Sequence, residues 1–355
     1  MTSRGTWRRR SRSSSAILLA ALLVAGCGSA RKPSASSDKS FGILFSRLAG
    51  GEWSTWFAEA DGSNARLVAK GVDGSLSPDG RWLVYGGTTE QPHLFVRELA
   101  SGKTRDLGRM FADAWSPDGS KLAVWDRKRL LVVDPKSGAS HEIARGSILS
   151  ASFSPDGQSI IFGEGSNDPT KSGLLIARMA DDQVSRFTDG WRAVWGKSWI
   201  AFSRYRYLNN DKYWSVTDLY LIRPDGTGLH RLTIKGETVG HGKDDFLRFG
   251  LEPEEFSADG TRLVACVSIE LGGCEPVTFA IPNGPGQKLL GEGGGGGVSL
   301  APDGSEVLVD WGILDDDQHH TISTIPFAGG KPRVLIRDAA RASWAPIPRA
   351  RDDSG

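Results

Sequence analysis

Three cysteines in 355 residues cannot supply a disulfide framework, so the fold must be held by an apolar core. Charge of one sign is missing too. With 43 lysines and arginines against 42 aspartates and glutamates, the chain lacks the basic excess that neutralises a phosphate backbone, which argues against a nucleic-acid partner. The 45 glycines follow no three-residue period, which excludes a collagen-like chain, and an apolar fraction of 39% excludes a disordered one. Catalytic signatures are lacking as well. There is no HExxH, no P-loop and no Gly-x-Gly-x-x-Gly after a strand, and the nearest string to a nucleophile elbow, Gly297-Val298-Ser299-Leu300-Ala301, ends in alanine. No catalytic residue, no metal ligand and no cofactor is assigned. No segment of useful length has a helical period, so the expected fold class is all-β.

Acidic residues are absent from positions 1 to 26, which carry Arg4, Arg8, Arg9, Arg10 and Arg12. Without that stretch the chain holds 38 basic and 42 acidic side chains, a formal charge of −4. The apolar run Ala16 to Ala25 is too short to span a bilayer as a helix and suits the hydrophobic region of an export signal. It ends in Leu23-Val24-Ala25-Gly26-Cys27, which resembles a bacterial lipoprotein signal: small residues admit the signal peptidase, and the Cys27 thiol accepts a diacylglycerol. The resemblance implies a signal peptide over 1–26, a lipidated flexible tether over 27–40 and an extracytoplasmic, membrane-anchored protein. An ordinary signal peptide that happens to contain a cysteine is the alternative.

What the chain does have is a repeat. Ser-Pro-Asp-Gly occurs at Ser77 to Gly80, Ser116 to Gly119 and Ser154 to Gly157, with variants at Ser257 to Gly260 and Ala301 to Gly304, each followed by a strand-like run such as Lys121 to Trp125. Proline presets φ, serine and aspartate bond nearby backbone N–H groups, and glycine accepts a conformation other residues resist, so Asp79, Asp118 and Asp156 read as turn formers. Large residues before each turn, Leu76, Trp115, Phe153, Trp195, Phe256, Leu300 and Trp344, are spaced by 39, 38, 42, 61, 44 and 44 residues. Units of about 40 residues with several short strands are the signature of a β-propeller.

Each unit contains four strands, and the ends of the chain complete one another. Trp344 lies on a first strand with no second strand after it, while Phe41 to Arg47 is a second strand with no first. Joined, they close a ring of seven blades over residues 41–348, with six blades as the alternative and 349–355 as a tail. The turn, a third strand such as Asp218 to Thr227 and a fourth ending Arg231-Leu232-Thr233 together resemble the TolB-type propeller repeat. That resemblance implies a monomeric propeller that binds protein partners of the bacterial cell envelope. In two respects the sequence departs from it: only thirteen residues separate Cys27 from Phe41, leaving no room there for the family's α/β domain, and seven blades are counted instead of six.

Antiparallel strands put the second-to-third and fourth-to-first loops on one face and the Ser-Pro-Asp-Gly turns on the other. The insertions Arg204 to Thr217, Ile234 to Gly250 and Gly312 to His320 share the first face. Tyr205, Tyr207, Tyr213, Trp214 and Phe246 there are the candidate anchors for a partner, since exposed aromatics favour interfaces, although they could equally pack beneath their own loops. The other reading is a calcium-dependent lactonase with carboxylates around the central channel. Cys266 and Cys274 flank a Leu271-Gly272-Gly273 turn and are candidates for a disulfide in an exported chain.

Overall fold

The computed structural model describes residues 40–87, 93–126, 128–208, 211–234, 248–269, 273–290, 297–311 and 320–349, with only the backbone described at 208, 211–215, 248, 249, 269 and 311. The chain divides into two compact units, Met1–Ser37 and Asp38–Gly355. Cys27 and Phe246 lie outside the described residues, as do most of the insertions after Ile234 and Trp311.

The second unit is built of antiparallel strands, with a single 3-10 turn, Pro169–Lys171, among its described residues. Five sheets have four strands each, in the order expected for repeats; one runs Phe111–Trp115, Leu122–Trp125, Arg129–Val133, Ser140–Arg145. The sixth is composite. Its first part holds Arg192–Trp195, Ile200–Leu208, Asp211–Ile222 and His230–Arg231; its second holds Arg248–Phe256, Arg262–Ile269, Cys274–Ala280 and Gln287–Lys288. A parallel pairing of Thr217 with Gly250 joins the two parts, and the choice between seven repeats and six turns on this sheet. Among the described residues no helix is long and apolar enough to cross a membrane.

The strands read as continuous apolar runs because both faces are covered. In Arg129–Val133, Leu130 and Val132 join the core made with Phe153 and Phe162 of the following sheet, while Leu131 and Val133 join the core made with Val84 and Leu94 of the preceding one. Ile160 and Ile161 divide in the same way, each 0% exposed. The turn residues do the local work the repeat implies. Ser77, Ser116, Ser154 and Ser257 each donate from Oγ to the aspartate two positions on at 2.6 Å. The same serine oxygen accepts the N–H five residues on at 2.9–3.1 Å, starting the second strand. Gly80, Gly119, Gly157, Gly260 and Gly304 have φ between 69° and 74°, the left-handed region that a side chain resists.

Closure is explicit in the register. Phe41 pairs with Pro346, Gly42 with Ala345 and Ile43 with Trp344, so the sheet runs Ala340–Pro346, Phe41–Ala49, Glu52–Glu59, Arg66–Lys70. Phe41 meets the Trp344 ring edge-on at 5.2 Å between centroids.

In the hairpin Arg262–Ile269 with Cys274–Ala280, Cys266 faces Pro276 and Cys274 faces Ser268, which sets the two cysteines on one diagonal of the sheet. Their Cα atoms are 5.3 Å apart and the sulfurs are bonded. A loop this short removes little chain entropy, and replacing both cysteines with serine is expected to cost about 2 kcal/mol. Urea denaturation with and without reductant measures this; coincident midpoints would show that the bridge contributes nothing.

Candidate functional site

The first strand of each unit lies against the first strand of the next, and polar groups stitch them in sequence. Trp115 Nε1 donates to Ser75 O, the Asp113 carboxylate accepts from Ala151 N, and Trp195 N donates to Ser152 Oγ. Arg192 pairs with Glu252 and Glu254 at 3.2 and 2.7 Å. Glu255 accepts from Ser299 Oγ and Leu300 N, Trp344 N donates to Ser299 Oγ, and Arg341 pairs with Asp73, which returns the circuit to its start. The inner strands thus carry a ring of polar links inside an otherwise apolar set of sheets.

One arc of this ring encloses a cavity of about 170 Å³, lined by Asp113, Ser150, Ser152, Arg192, Pro253 and Glu254. Burial pushes the Glu254 carboxyl up to about 7, with Glu252 adding to the effect and Arg192 opposing it. Its side chain keeps 23% of its surface exposed, which tempers the effect of burial. Burial likewise raises Glu255 to about 7 against the Leu300 N–H and the Ser299 hydroxyl, and Asp113 to about 6 against the Ala151 N–H and Arg192. Arg192 is shared by the charges of Glu254, Glu252 and Asp113, and burial holds the Glu254 and Asp113 carboxyls above their ordinary range. Ser150 Oγ is occupied by Trp191 O and Ser152 Oγ by Trp195 N, and neither hydroxyl is paired with a general base. Among the described residues no group of three His, Cys, Asp or Glu side chains is placed to hold a metal ion.

The sequence had a signal for these acids that pattern reading passed over. Asp113 and Glu254 stand two positions before Trp115 and Phe256, where the other units carry Gly74, Ala151, Ala193, Val298 and Ala342. A charge in a slot otherwise kept small or apolar marks a residue aimed at a neighbour.

On the insertion-bearing face, the hairpin of Ile200–Leu208 and Asp211–Ile222 outruns its sheet. Its first-strand partner ends with Arg192 opposite Ser203, yet hairpin pairing continues through Arg204 with Asp218 to Tyr207 with Ser215. The projection is braced at its base. Asp218, with 4% of its side chain exposed, receives Arg206 Nε and Arg231 at 2.8 Å each. Tyr205 lies against the Trp191 ring at 5.4 Å, and burial, with the Glu252 charge, pushes its hydroxyl up to about 12. Tyr207 donates to Asp168 at 2.6 Å, and Asp168 caps the 3-10 turn Pro169–Lys171. Both tyrosines, candidate anchors in the sequence, are half-buried and each has a partner within the chain that braces the hairpin. Tyr213 and Trp214 fall on the returning strand, where the backbone alone is described.

A ring of antiparallel sheets, closed by pairing between the first and last strands and stitched along its inner edge, fixes the architecture. The fold is a β-propeller. No protein-family model matches the sequence, and no curated protein does either. Among solved structures the propeller is similar to a Mycobacterium tuberculosis puromycin-hydrolyzing peptidase, at TM-score 0.56 and 14% identity over 84% of this chain and 53% of that one. It is similar to an oligogalacturonate lyase in complex with manganese, at 0.55 and 13% identity over 83% and 84%. TolB from Acinetobacter baumannii is also matched, at 0.49 and 16% identity over 86% and 82%. At these identities the likeness is one of fold alone.

Proposed function

We propose that the propeller is a non-catalytic binding scaffold, anchored outside a bacterial membrane through Cys27, that captures another envelope protein on its insertion-bearing face. The observation that carries this reading is the braced hairpin. A strand pair that runs past its first-strand partner is not required by the repeat, yet Asp218, Asp168 and Trp191 are committed to bracing it. Preorganisation of that kind favours binding, because less conformational entropy is lost on association. Tyr213 and Trp214, on the outer half of the hairpin, are the anchors this reading requires. The acids of the inner strands support it indirectly, since Asp113, Glu254 and Glu255 are each matched by a partner within the chain.

Tyr213→Ala and Trp214→Ala should each weaken capture of the partner from solubilised envelope by about 1 kcal/mol or more, roughly fivefold, with the melting temperature nearly unchanged. Quantitative pull-down with the intact lipoprotein reads this. Unchanged capture, or calcium-dependent ester hydrolysis by the purified protein, would move the chain to the enzymes of this fold.

A further inference from the structure

A second cavity, of about 180 Å³, opens at the outer rim, away from the inner strands and the hairpin. It lies between Arg66–Lys70, the outermost strand of the closing sheet, and Leu94–Glu98 of the next sheet, with the chain after Pro346 forming the remaining wall. Arg66, Arg97 and Arg349 supply its charge; Leu67, Leu99 and Pro348 supply its apolar surface; no acidic side chain lines it. The arginines are held in place. Arg66 packs over the Phe57 ring at 4.9 Å, Arg97 donates to Val68 O at 3.3 Å, and Arg349 is fixed through its own N–H to Gly80 O at 2.9 Å. Leu67 in its wall is 51% exposed, an uncovered apolar side chain beside three cations.

Three arginines and an apolar wall lining one pocket match an anion carried on an apolar stem. They match an added peptide strand less well, because the edge carbonyl of Val68 that such a strand would use is already taken by Arg97. The register also sets this pocket beside the point where the tether enters: Phe41 pairs with Pro346, two residues before the Pro348 wall. Thirteen residues reach at most about 45 Å from there to Cys27. We propose that the pocket binds the phosphate headgroup of an anionic membrane lipid, with Arg66, Arg97 and Arg349 on the phosphate and Leu67, Leu99 and Pro348 against the glycerol and the first acyl carbons. This rests on the envelope placement proposed above, and it would orient the propeller with its closing sheet toward the membrane.

Titration calorimetry of the full chain with monomeric dihexanoyl-phosphatidylglycerol tests it, with dihexanoyl-phosphatidylcholine, inorganic phosphate and a tetra-aspartate peptide as comparators. The anionic lipid should bind at least about tenfold tighter than each comparator. Arg66→Gln, Arg97→Gln and Arg349→Gln should each weaken it about fivefold, and the triple variant should bring it to the level of phosphatidylcholine. Arg145→Gln, at an exposed arginine paired with Glu142, should change nothing. If the triple variant fails to fold, the three single variants decide. Equal binding of the two lipids, or full binding by the arginine variants, overturns the proposal. Inorganic phosphate binding as tightly as the lipid would make this a free-phosphate site, and tighter binding of the peptide would make it a peptide dock; either outcome overturns the lipid assignment. Lipidation is read separately, from the mass of the mature chain, so failure of the pocket and failure of the anchor are distinguishable.

Discussion

Deletion of Phe41–Arg47 is expected to abolish the cooperative thermal transition of the propeller. The segment is the second strand of the closing sheet, paired on one side with Glu52–Glu59 and on the other with Ala340–Pro346. Its removal takes Phe41, Ile43 and Phe45, at 7%, 0% and 1% exposure, out of a core shared with Leu308, Ile322 and Trp344. Burying each such side chain is worth about 1.5–3 kcal/mol, and two unpaired strand edges are opened as well. Against a typical total stability of about 5–15 kcal/mol, that loss leaves no folded ring. Ile43→Ala gives a graded version: it keeps the strand and should cost about 2–5 kcal/mol through the cavity it leaves. Circular dichroism melting of both variants, beside a deletion of Lys32–Ser37 as control, reads the result. A deletion variant that melts like its control would show that the ring does not depend on this closure.

The architecture was legible because its markers are local. Serine, proline, aspartate and glycine specify a turn within four residues, and Ser77 Oγ donates to Asp79 and accepts from Trp82 N with nothing needed from elsewhere in the chain. Closure followed from counting strands, since a first strand at Trp344 and a second strand at Phe41 each lack what the other has. The sites were not legible in the same way. Asp113, Arg192 and Glu254 come from three first strands, and a single charge on a short strand carries no period of its own. Arg66, Arg97 and Arg349 meet only because the last residues fold back across the first repeat. Tyr205 and Tyr207 were visible as aromatics on an insertion, but whether they face outward depended on Trp191 and Asp168, which lie in connections of other strands.

Stability is expected to fall as pH rises from about 4.5 to about 7, against the usual trend for a protein rich in ion pairs. Glu254 and Glu255 ionise near 7 in the folded chain and near 4.5 when unfolded. Between those values the folded chain keeps protons that the unfolded chain has released, so each step upward in pH favours unfolding until both groups are charged in both states. Asp113 adds the same sign between 3.8 and about 6. Asp118, Asp168 and Asp259, held at about 2 by hydroxyl and amide donors, act with the opposite sign but only below about pH 4. A pKa unit is worth about 1.4 kcal/mol; allowing for Arg192 and for the partial exposure of Glu254, the total loss should be about 3 kcal/mol. Glu255→Gln isolates the effect. The amide oxygen still accepts from Leu300 N and Ser299 Oγ, but the side chain no longer has to be charged in a buried place. The variant should gain about 2 kcal/mol over the parent at pH 8 and nothing at pH 4.5, as read by urea denaturation at the two pH values. A parent equally stable at both, or a variant weaker than the parent at pH 8, would mean that the ring holds these carboxylates charged and that Arg192 alone is enough to compensate them.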